Sequence, residues 1–115
     1  MIFSFITSFL LANSLELGSP VPRLKVLTDQ GTALDLGEAL SVGTTLVFFY
    51  PKAMTPGCVK QACSLRDGWD EIQSRNVSIF GVSSDTAKTQ AQFRDKYTLP
   101  FTLLADTDGQ IADAF

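Results

Sequence analysis

The run TTLVFFY, residues 44–50, constrains the fold more than any other stretch of the chain. β-branched and aromatic side chains follow one another there, without the polar alternation of a half-exposed strand. This composition is typical of a strand that is buried on both faces between parallel neighbours. Because parallel strands of one sheet are joined by right-handed crossovers, the run predicts a layered α/β fold.

The rest of the chain supplies the other elements of such a fold. LKVL and TALDL flank the turn sequence TDQG and predict an N-terminal β-hairpin, and LGEALSVG predicts a short connection ending at Gly43. VSIFGVS, residues 77–83, predicts a second buried strand, and LPFTLLAD predicts a further strand after Pro100. We expect this last strand to form an open sheet edge. With the abrupt end at Phe115, that edge predicts a chain lacking C-terminal elements.

Two segments carry helical patterns. In residues 56–75 the apolar side chains recur in steps of three and four, which places them on one helix face. They are Cys58, Ala62, Leu65, Trp69 and Ile72. On this face Trp69 is predicted to lie in the core. A second helix is predicted over residues 86–97, capped by Ser84 or Asp85.

Composition excludes several classes of protein. The 115 residues are 45% hydrophobic and 18% charged, which fits one soluble globular domain. Lys and Arg are scattered singly, so no basic stripe predicts a nucleic-acid or anionic-membrane partner. With no histidine and two cysteines, the chain cannot complete a structural zinc site. Asp106 and Asp108 in DTDG lack the later ligands of a calcium loop and are predicted to form a turn.

The N-terminal segment MIFSFITSFLLANS leaves two interpretations open. Its apolar stretch is too short to span a bilayer, and the small-residue triplet that follows resembles a signal-peptidase site. No Lys or Arg occurs before Arg23, although secretory signals usually begin with positive charge. Residues 1–18 are therefore either a signal peptide or an apolar extension, ahead of one domain over residues 19–115. The protein is cytoplasmic, or exported to the periplasm or cell envelope if Met1–Ser14 is cleaved.

Cys58 follows the motif PKAMTPG, whose last residues have preferred places at the start of a helix. Proline disfavours helical backbone at the residue before it, so Thr55 should be extended, as an N-cap residue is. Pro56 fits the first helical position, where its missing N–H costs nothing. Cys58 then lies in the first turn, where free N–H groups and the helix dipole favour a thiolate. The motif therefore predicts a reactive sulfur, whereas an isolated cysteine is more often buried and inert.

The second cysteine, Cys63, lies five residues after Cys58. On a continuous helix this spacing separates the two Cα atoms by more than the roughly 7 Å that a disulfide tolerates. A permanent bridge is therefore incompatible with an intact helix, but a transient one can form when the terminal turns unwind. The spacing favours a redox relay over a structural disulfide.

The segment FFYPKAMTPGCVKQACSLRD resembles the active site of the peroxiredoxin superfamily, whose Pro-x-x-x-Thr-x-x-Cys pattern is matched by Pro51, Thr55 and Cys58. Cys63 and the LRD after it look like the peroxiredoxin Q, or bacterioferritin comigratory protein, subgroup. The resemblance runs from about Leu24 to Phe115. It implies a thioredoxin-like fold, with a central mixed sheet and flanking helices.

The resemblance also implies an activity, the thiol-dependent reduction of hydrogen peroxide and organic hydroperoxides. Cys58 would be the peroxidatic cysteine, which becomes a sulfenic acid. Cys63 would resolve it as a disulfide, which thioredoxin or a similar dithiol reduces. Thr55 would hydrogen-bond the thiolate and the peroxide, and Pro51 would shield the sulfenic acid. No metal or cofactor, no nucleic acid and no stable membrane insertion are implied, and we expect a monomer or weak dimer.

One family residue has no match in this chain. Peroxiredoxins also use an arginine from later in the domain, which we expect to lie after Phe115. Arg66, on the cysteine helix, is not assigned that role. It is predicted to pair with Asp67 or Asp70, or to remain solvated.

Two other functions remain open on the sequence. A thiol–disulfide oxidoreductase could share the fold, although that activity prefers Cys-x-x-Cys and four residues separate Cys58 from Cys63. A non-catalytic peroxide sensor would use the same thiolate with a partner protein in place of thioredoxin.

Overall fold

The structure, a computed structural model, describes residues 15–115. Met1–Ser14 lies outside the described residues, so its interpretation as a signal peptide or an extension stays a prediction. The domain division at residue 18 also stays a prediction. No helix within residues 15–115 has both the length and the apolar character needed to cross a membrane.

A five-stranded mixed sheet forms the centre of the molecule, with helices on both faces. Its strands are β1 (Lys25–Thr28), β2 (Ala33–Asp35), β3 (Thr44–Phe49), β4 (Val77–Ser83) and β5 (Thr102–Ala105). The helices are α1 (Leu36–Leu40), α2 (Pro56–Asp67), α3 (Trp69–Ser74), α4 (Ala87–Tyr97) and α5 (Gln110–Ala114). In the order β2-β1-β5-β4-β3, the last three are parallel and β1 is antiparallel to both of its neighbours. The predicted α/β class and N-terminal hairpin are confirmed.

The open edge of the sheet does not lie where the sequence predicted it. β5 is internal, between β4 and β1, and Leu27 of β1 pairs with Ala105. β3 forms an edge instead, with 42% of Leu46 and 41% of Phe49 exposed. The prediction that TTLVFFY is buried between parallel neighbours on both sides is therefore wrong, because its single partner is β4. Apolar composition identifies a strand but carries no information on strand order.

A buried ion pair helps to hold the hairpin against β5. The Asp29 carboxylate accepts hydrogen bonds from the Arg94 guanidinium at 3.1 and 3.2 Å, and from the backbone N–H of Leu103 at 3.1 Å. Only 4% of the Asp29 side chain is exposed. Because a buried charge is costly unless it is paired, this arrangement favours one docking position for the turn after β1.

The helix predicted over residues 56–75 is divided in two at Gly68. The backbone there has φ −93° and ψ 9°, outside the α-helical region, and its N–H donates to the Ser64 carbonyl at 3.2 Å. Glycine has a low helix propensity, which makes it a natural point of division. The apolar face nevertheless continues across the break, since Leu65, Trp69 and Ile72 pack against one core. Trp69 was predicted to lie in the core; it is partly buried and packs against the core from its edge.

The cap of α4 also differs from the prediction. Thr86 is the N-cap residue, and its hydroxyl accepts a hydrogen bond from Thr89 N at 3.2 Å. Neither Ser84 nor Asp85 is the N-cap residue, so the prediction is wrong by one or two residues. The Asp85 carboxylate instead accepts from Ala53 N, in the loop after β3. A contact this distant in sequence leaves no local signal, so the propensity rules could not find it.

Successive residues of the central strands point to opposite faces of the sheet and contribute to two apolar cores, one on each face. Phe48 and Leu103 lie in the core covered by α2, α3 and α4. Val82 and Leu104 lie in the other core, covered by α1 and α5. The cysteine helix therefore packs firmly on one face of the sheet, and its first turn follows directly from the loop after β3.

Candidate active site

Cys58 lies in the first turn of α2, as the sequence predicted. Thr55 is the N-cap residue with extended backbone (φ −84°, ψ 148°), and Pro56 begins the helix. Cys58 is therefore the third helical residue. Its exposed fraction is 6%, so the sulfur lies at the mouth of the helix but largely shielded from bulk water.

The Thr55 hydroxyl is turned away from the helix. It makes no capping hydrogen bond and donates instead to the Lys52 carbonyl at 2.8 Å. A capping side chain would accept from an N–H of the first turn. Because Thr55 does not, the N–H groups near Cys58 remain available to stabilise a negative charge on sulfur.

The loop that leads into the helix is tightly held. Ala53 is buried, and its N–H donates to Asp85 Oδ2 at 2.7 Å. The same carboxylate oxygen accepts from the Ser83 hydroxyl at 2.6 Å. Met54 follows with φ 67°, a conformation that a residue with a side chain rarely adopts. Asp85 and Ser83 therefore belong to the site, and sequence reasoning missed both.

A buried polar network centred on Tyr50 adjoins the site. The Tyr50 hydroxyl donates to Gln90 Oε1, and Gln90 Nε2 donates to the Leu104 carbonyl at 2.9 Å. Burial raises the pKa of Tyr50 above its ordinary value, and the nearby negative charges of Asp85 and Cys58 raise it further. The phenol is therefore neutral at physiological pH and acts as a hydrogen-bond donor. A fully buried glutamine on a polar helix has no signature in the sequence.

Cys63 lies in the same helix as Cys58, and both are free thiols. Cys63 is partly exposed. Beyond it, Arg66 Nε forms an ion pair with Asp67 at 3.0 Å, as predicted, and Arg66 Nη1 donates to the Tyr97 carbonyl at 2.8 Å. The C-terminal end of α2 is therefore tied to the end of α4.

Pro51 lies at the end of β3, beside a groove of about 560 Å³. Tyr50 and Ser83 also line this groove, together with residues of the loop before α5. Cys58 is not among its lining residues. Pro51 therefore lines the groove at the start of the loop that leads to the cysteine helix.

The acidic turn DTDG provides hydrogen-bond acceptors for the backbone N–H groups at the start of α5. Asp106 is buried, and its carboxylate accepts from Ile111 N at 2.8 Å and Ala112 N at 3.0 Å. Asp108 accepts from Gln110 N at 3.3 Å. The predicted turn chemistry is confirmed. In the part of the chain that the structure describes, no three Cys, Asp or Glu side chains are grouped to hold a metal ion.

Fold and site together define a class of protein: a thioredoxin-like domain with a reduced cysteine in the first turn of a helix that follows a sheet strand. The chain belongs to the AhpC/TSA family, whose model matches residues 17–115. The resemblance inferred from PKAMTPGC is thereby confirmed.

The similar proteins are named as peroxiredoxins. The chain is 39% identical over 102 residues to a putative peroxiredoxin bcp of Coxiella burnetii, covering 89% of this chain and 67% of that protein. It is 40% identical over 103 residues to the peroxiredoxin Bcp of Escherichia coli K12, covering 90% of this chain and 65% of that protein. The chain thus spans about two thirds of the length of these relatives.

Solved structures agree with the fold. The peroxidoxin BcpB of Mycobacterium tuberculosis superposes with a TM-score of 0.83 at 36% identity, over 89% of this chain and 66% of that one. A structure of Xanthomonas campestris peroxiredoxin Q superposes with a TM-score of 0.78 at 30% identity, over 90% of this chain and 65% of that one. The predicted thioredoxin-like fold is confirmed.

Proposed function

We propose that the protein is a thiol-dependent peroxidase that reduces hydrogen peroxide and organic hydroperoxides. The observation that carries this proposal is the position of Cys58, third in a helix whose capping threonine leaves the first-turn N–H groups free. Such a site favours the thiolate, which is the nucleophilic form of cysteine. The names of the similar proteins support the same reaction.

In the first step the Cys58 thiolate attacks the terminal oxygen of the peroxide. An S–O bond forms and the O–O bond breaks. The leaving oxygen takes up a proton and departs as water or alcohol, and the sulfur becomes a sulfenic acid. The cysteine is oxidised by two electrons and the peroxide is reduced by two, so no metal or other cofactor is needed.

In the second step Cys63 attacks the sulfenic sulfur, forming a disulfide and releasing water. In intact α2 the two Cα atoms are about 8–9 Å apart, beyond the roughly 7 Å limit of a disulfide. The first turns must therefore unwind. The Arg66 contact with Tyr97 O holds the other end of the helix, and unwinding from the Cys58 end leaves that contact intact.

Two further residues are assigned on the family pattern. Thr55 would direct its hydroxyl to the thiolate and the bound peroxide, which requires its single O–H to leave the Lys52 carbonyl to which it donates in this structure. Pro51 would shield the sulfenic acid from water. Thioredoxin or a similar dithiol would reduce the disulfide and complete the cycle. The protein would act as a monomer or weak dimer, with no nucleic-acid partner.

One experiment separates the peroxidase from its alternatives. Reduced protein is mixed with hydrogen peroxide in a stopped-flow instrument. The intact-protein mass of quenched samples is then measured by mass spectrometry. A peroxidase loses both thiols rapidly, forms the Cys58–Cys63 bridge and turns over with thioredoxin. A thiol–disulfide oxidoreductase reacts slowly with peroxide but rapidly with protein disulfides, and a sensor reacts without thioredoxin-coupled turnover. Either of the last two results would overturn the proposal.

A further inference from the structure

Two hydrogen bonds made by Ala53 and Thr55 help to fix the shape of the loop between β3 and α2. One is local, from the Thr55 hydroxyl to the Lys52 carbonyl. The other crosses to the end of β4, where Asp85 Oδ2 accepts from Ala53 N at 2.7 Å. The crossing bond joins the loop to the rigid centre of the sheet. Hydrogen bonds to a carboxylate are stronger than those between neutral groups.

Asp85 is itself held in place for this contact. The Ser83 hydroxyl donates to the same oxygen at 2.6 Å, and Asp85 N donates back to the Ser83 oxygen at 3.2 Å. Ser83 is buried at the end of β4, between the neighbouring strands. The carboxylate is therefore presented to the loop from the end of β4, a strand in the interior of the sheet.

The residue after the bond is conformationally strained. Met54 has φ 67°, in the left-handed region that side-chain-bearing residues avoid. Such a conformation persists only where the surroundings fix it on both sides. Here the Ala53–Asp85 bond lies before Met54 and the Thr55–Lys52 bond lies after it. Without Asp85, we expect the strained turn to relax and the N-cap to shift.

The presence of a carboxylate beside the loop that leads to Cys58 needs a reason. Asp85 carries a charge of the same sign as a Cys58 thiolate, and both groups raise the pKa of their shared neighbour Tyr50. Attraction to the thiolate cannot be that reason. The reason we infer is structural: one Asp85 oxygen accepts two hydrogen bonds, which hold the loop in the conformation that starts the helix.

We propose that Asp85 is a positioning residue for the peroxide reaction, which anchors Ala53 and so keeps Cys58 in a formed first helical turn. The inference rests on the proposed peroxidase function. This role predicts that loss of Asp85 affects the two chemical steps in different directions. Oxidation of Cys58 requires the formed turn, whereas resolution by Cys63 requires the turn to open. Loss of the anchor should therefore slow the first step and leave the second unchanged or faster.

The kinetic test compares Asp85→Ala, Asp85→Asn and the wild type, with Asp95→Ala as the matched control. Asp95 is an exposed carboxylate on α4, away from the loop. Quenched samples are analysed by mass for thiol, sulfenic acid and disulfide. In Asp85→Ala we expect oxidation of Cys58 to slow roughly tenfold or more, with the disulfide forming from sulfenic acid at least as fast as in the wild type.

Asp85→Asn removes the charge but keeps an oxygen that can accept both hydrogen bonds. We expect it to stay within about threefold of the wild-type oxidation rate, a rescue that general destabilisation would not produce. If both steps slow together in Asp85→Ala, or if Asp85→Asn is as slow as Asp85→Ala, the proposal is wrong. Should Asp85→Ala fail to fold, Asp85→Glu displaces the same carboxylate by one methylene and must show the same split.

A second measurement does not depend on activity. Amide hydrogen exchange of residues 53–59 in the reduced protein should be faster in Asp85→Ala, and unchanged in Asp85→Asn and Asp95→Ala. Equal exchange in Asp85→Ala and the wild type would overturn the anchor. If the wild type does not react with peroxide, the proposed function fails, and the exchange data still decide whether Asp85 holds the loop.

Discussion

Cys58 and Cys63 lie in one uninterrupted helix, and both are reduced. Helical geometry keeps their Cα atoms about 8–9 Å apart, so the two sulfurs cannot be joined while the helix is intact. The two proposed steps of the reaction therefore need two conformations of α2. Predictions on the cysteines and on the packing around them follow from this relationship.

Cys58→Ser should reduce peroxide consumption to the background rate. A serine hydroxyl at the same place is not ionised at neutral pH and cannot replace a thiolate nucleophile. The measurement is thioredoxin-coupled consumption of hydrogen peroxide, with circular dichroism to verify the fold. Turnover above background in a folded Cys58→Ser protein would contradict the role of this sulfur.

Cys63→Ser should consume about one equivalent of peroxide rapidly and a second one more slowly, without sustained turnover when thioredoxin is the reductant. Without a second thiol in reach, the sulfenic acid at Cys58 persists and is oxidised further to sulfinic acid. Intact-protein mass after timed exposure to peroxide should show additions of one and then two oxygens. Sustained turnover with thioredoxin in this variant would show that the relay is not required.

Tyr50→Phe should destabilise the protein by about 1–3 kcal/mol at neutral pH. The change leaves Gln90 Oε1 buried without its donor. Equilibrium unfolding in urea measures the difference, and an unchanged midpoint would mean that the hydrogen bond contributes nothing.

The same residue gives the stability a dependence on pH. Burial raises the pKa of Tyr50 above its ordinary value of 10.0, so the fold favours the protonated phenol. This contribution is complete below about pH 10 and is lost as the pH rises further, because only the unfolded chain then releases the proton. Wild-type stability should fall with a slope up to about 1.4 kcal/mol per pH unit steeper than that of Tyr50→Phe. Parallel curves above pH 10 would refute the assignment.

Gly81→Ala should destabilise the protein by about 1–3 kcal/mol through overpacking. An added Cβ would lie 2.7 Å from Leu103 Cδ2 and 2.8 Å from Phe48 Cζ, both in the core beneath the cysteine helix. Gly68→Ala is the matched control, since its Cβ would make only ordinary contacts, at 3.7 Å from Ser64 O and 3.9 Å from Ile72 Cδ1. Equal unfolding midpoints for the two variants would argue against close packing at Gly81.

Local features of the sequence were enough to place the thiol. The extended Thr55, the first-position Pro56 and the helical Cys58 each follow from steric rules that act within one or two residues. Such rules do not depend on the remainder of the fold. For the same reason the strands 77–83 and the N-terminal hairpin were predicted correctly.

Contacts between distant segments were not predictable in this way. The sequence predicted Ser84 or Asp85 as a helix cap because capping is a local event, whereas the Asp85 carboxylate accepts a hydrogen bond from Ala53 N, 32 residues away. Gln90 is buried because Tyr50 and Leu104 O satisfy its amide, and nothing in a polar helix reveals such partners. The division of the helix at Gly68 was visible as a glycine, but propensity alone did not decide whether the helix would continue.

Sequence alone therefore determined the place of Cys58 at the start of its helix and the class of fold, because both arise from short-range sterics and from the order of apolar segments. Tertiary structure decided the order of the strands, the exposed edge at β3 and the anchoring of the loop before Cys58. These depend on which distant groups meet when the hairpin docks on β5 and the end of β4 faces the loop. A buried carboxylate or amide settles where its hydrogen bonds are satisfied, and that place exists only once the chain has folded.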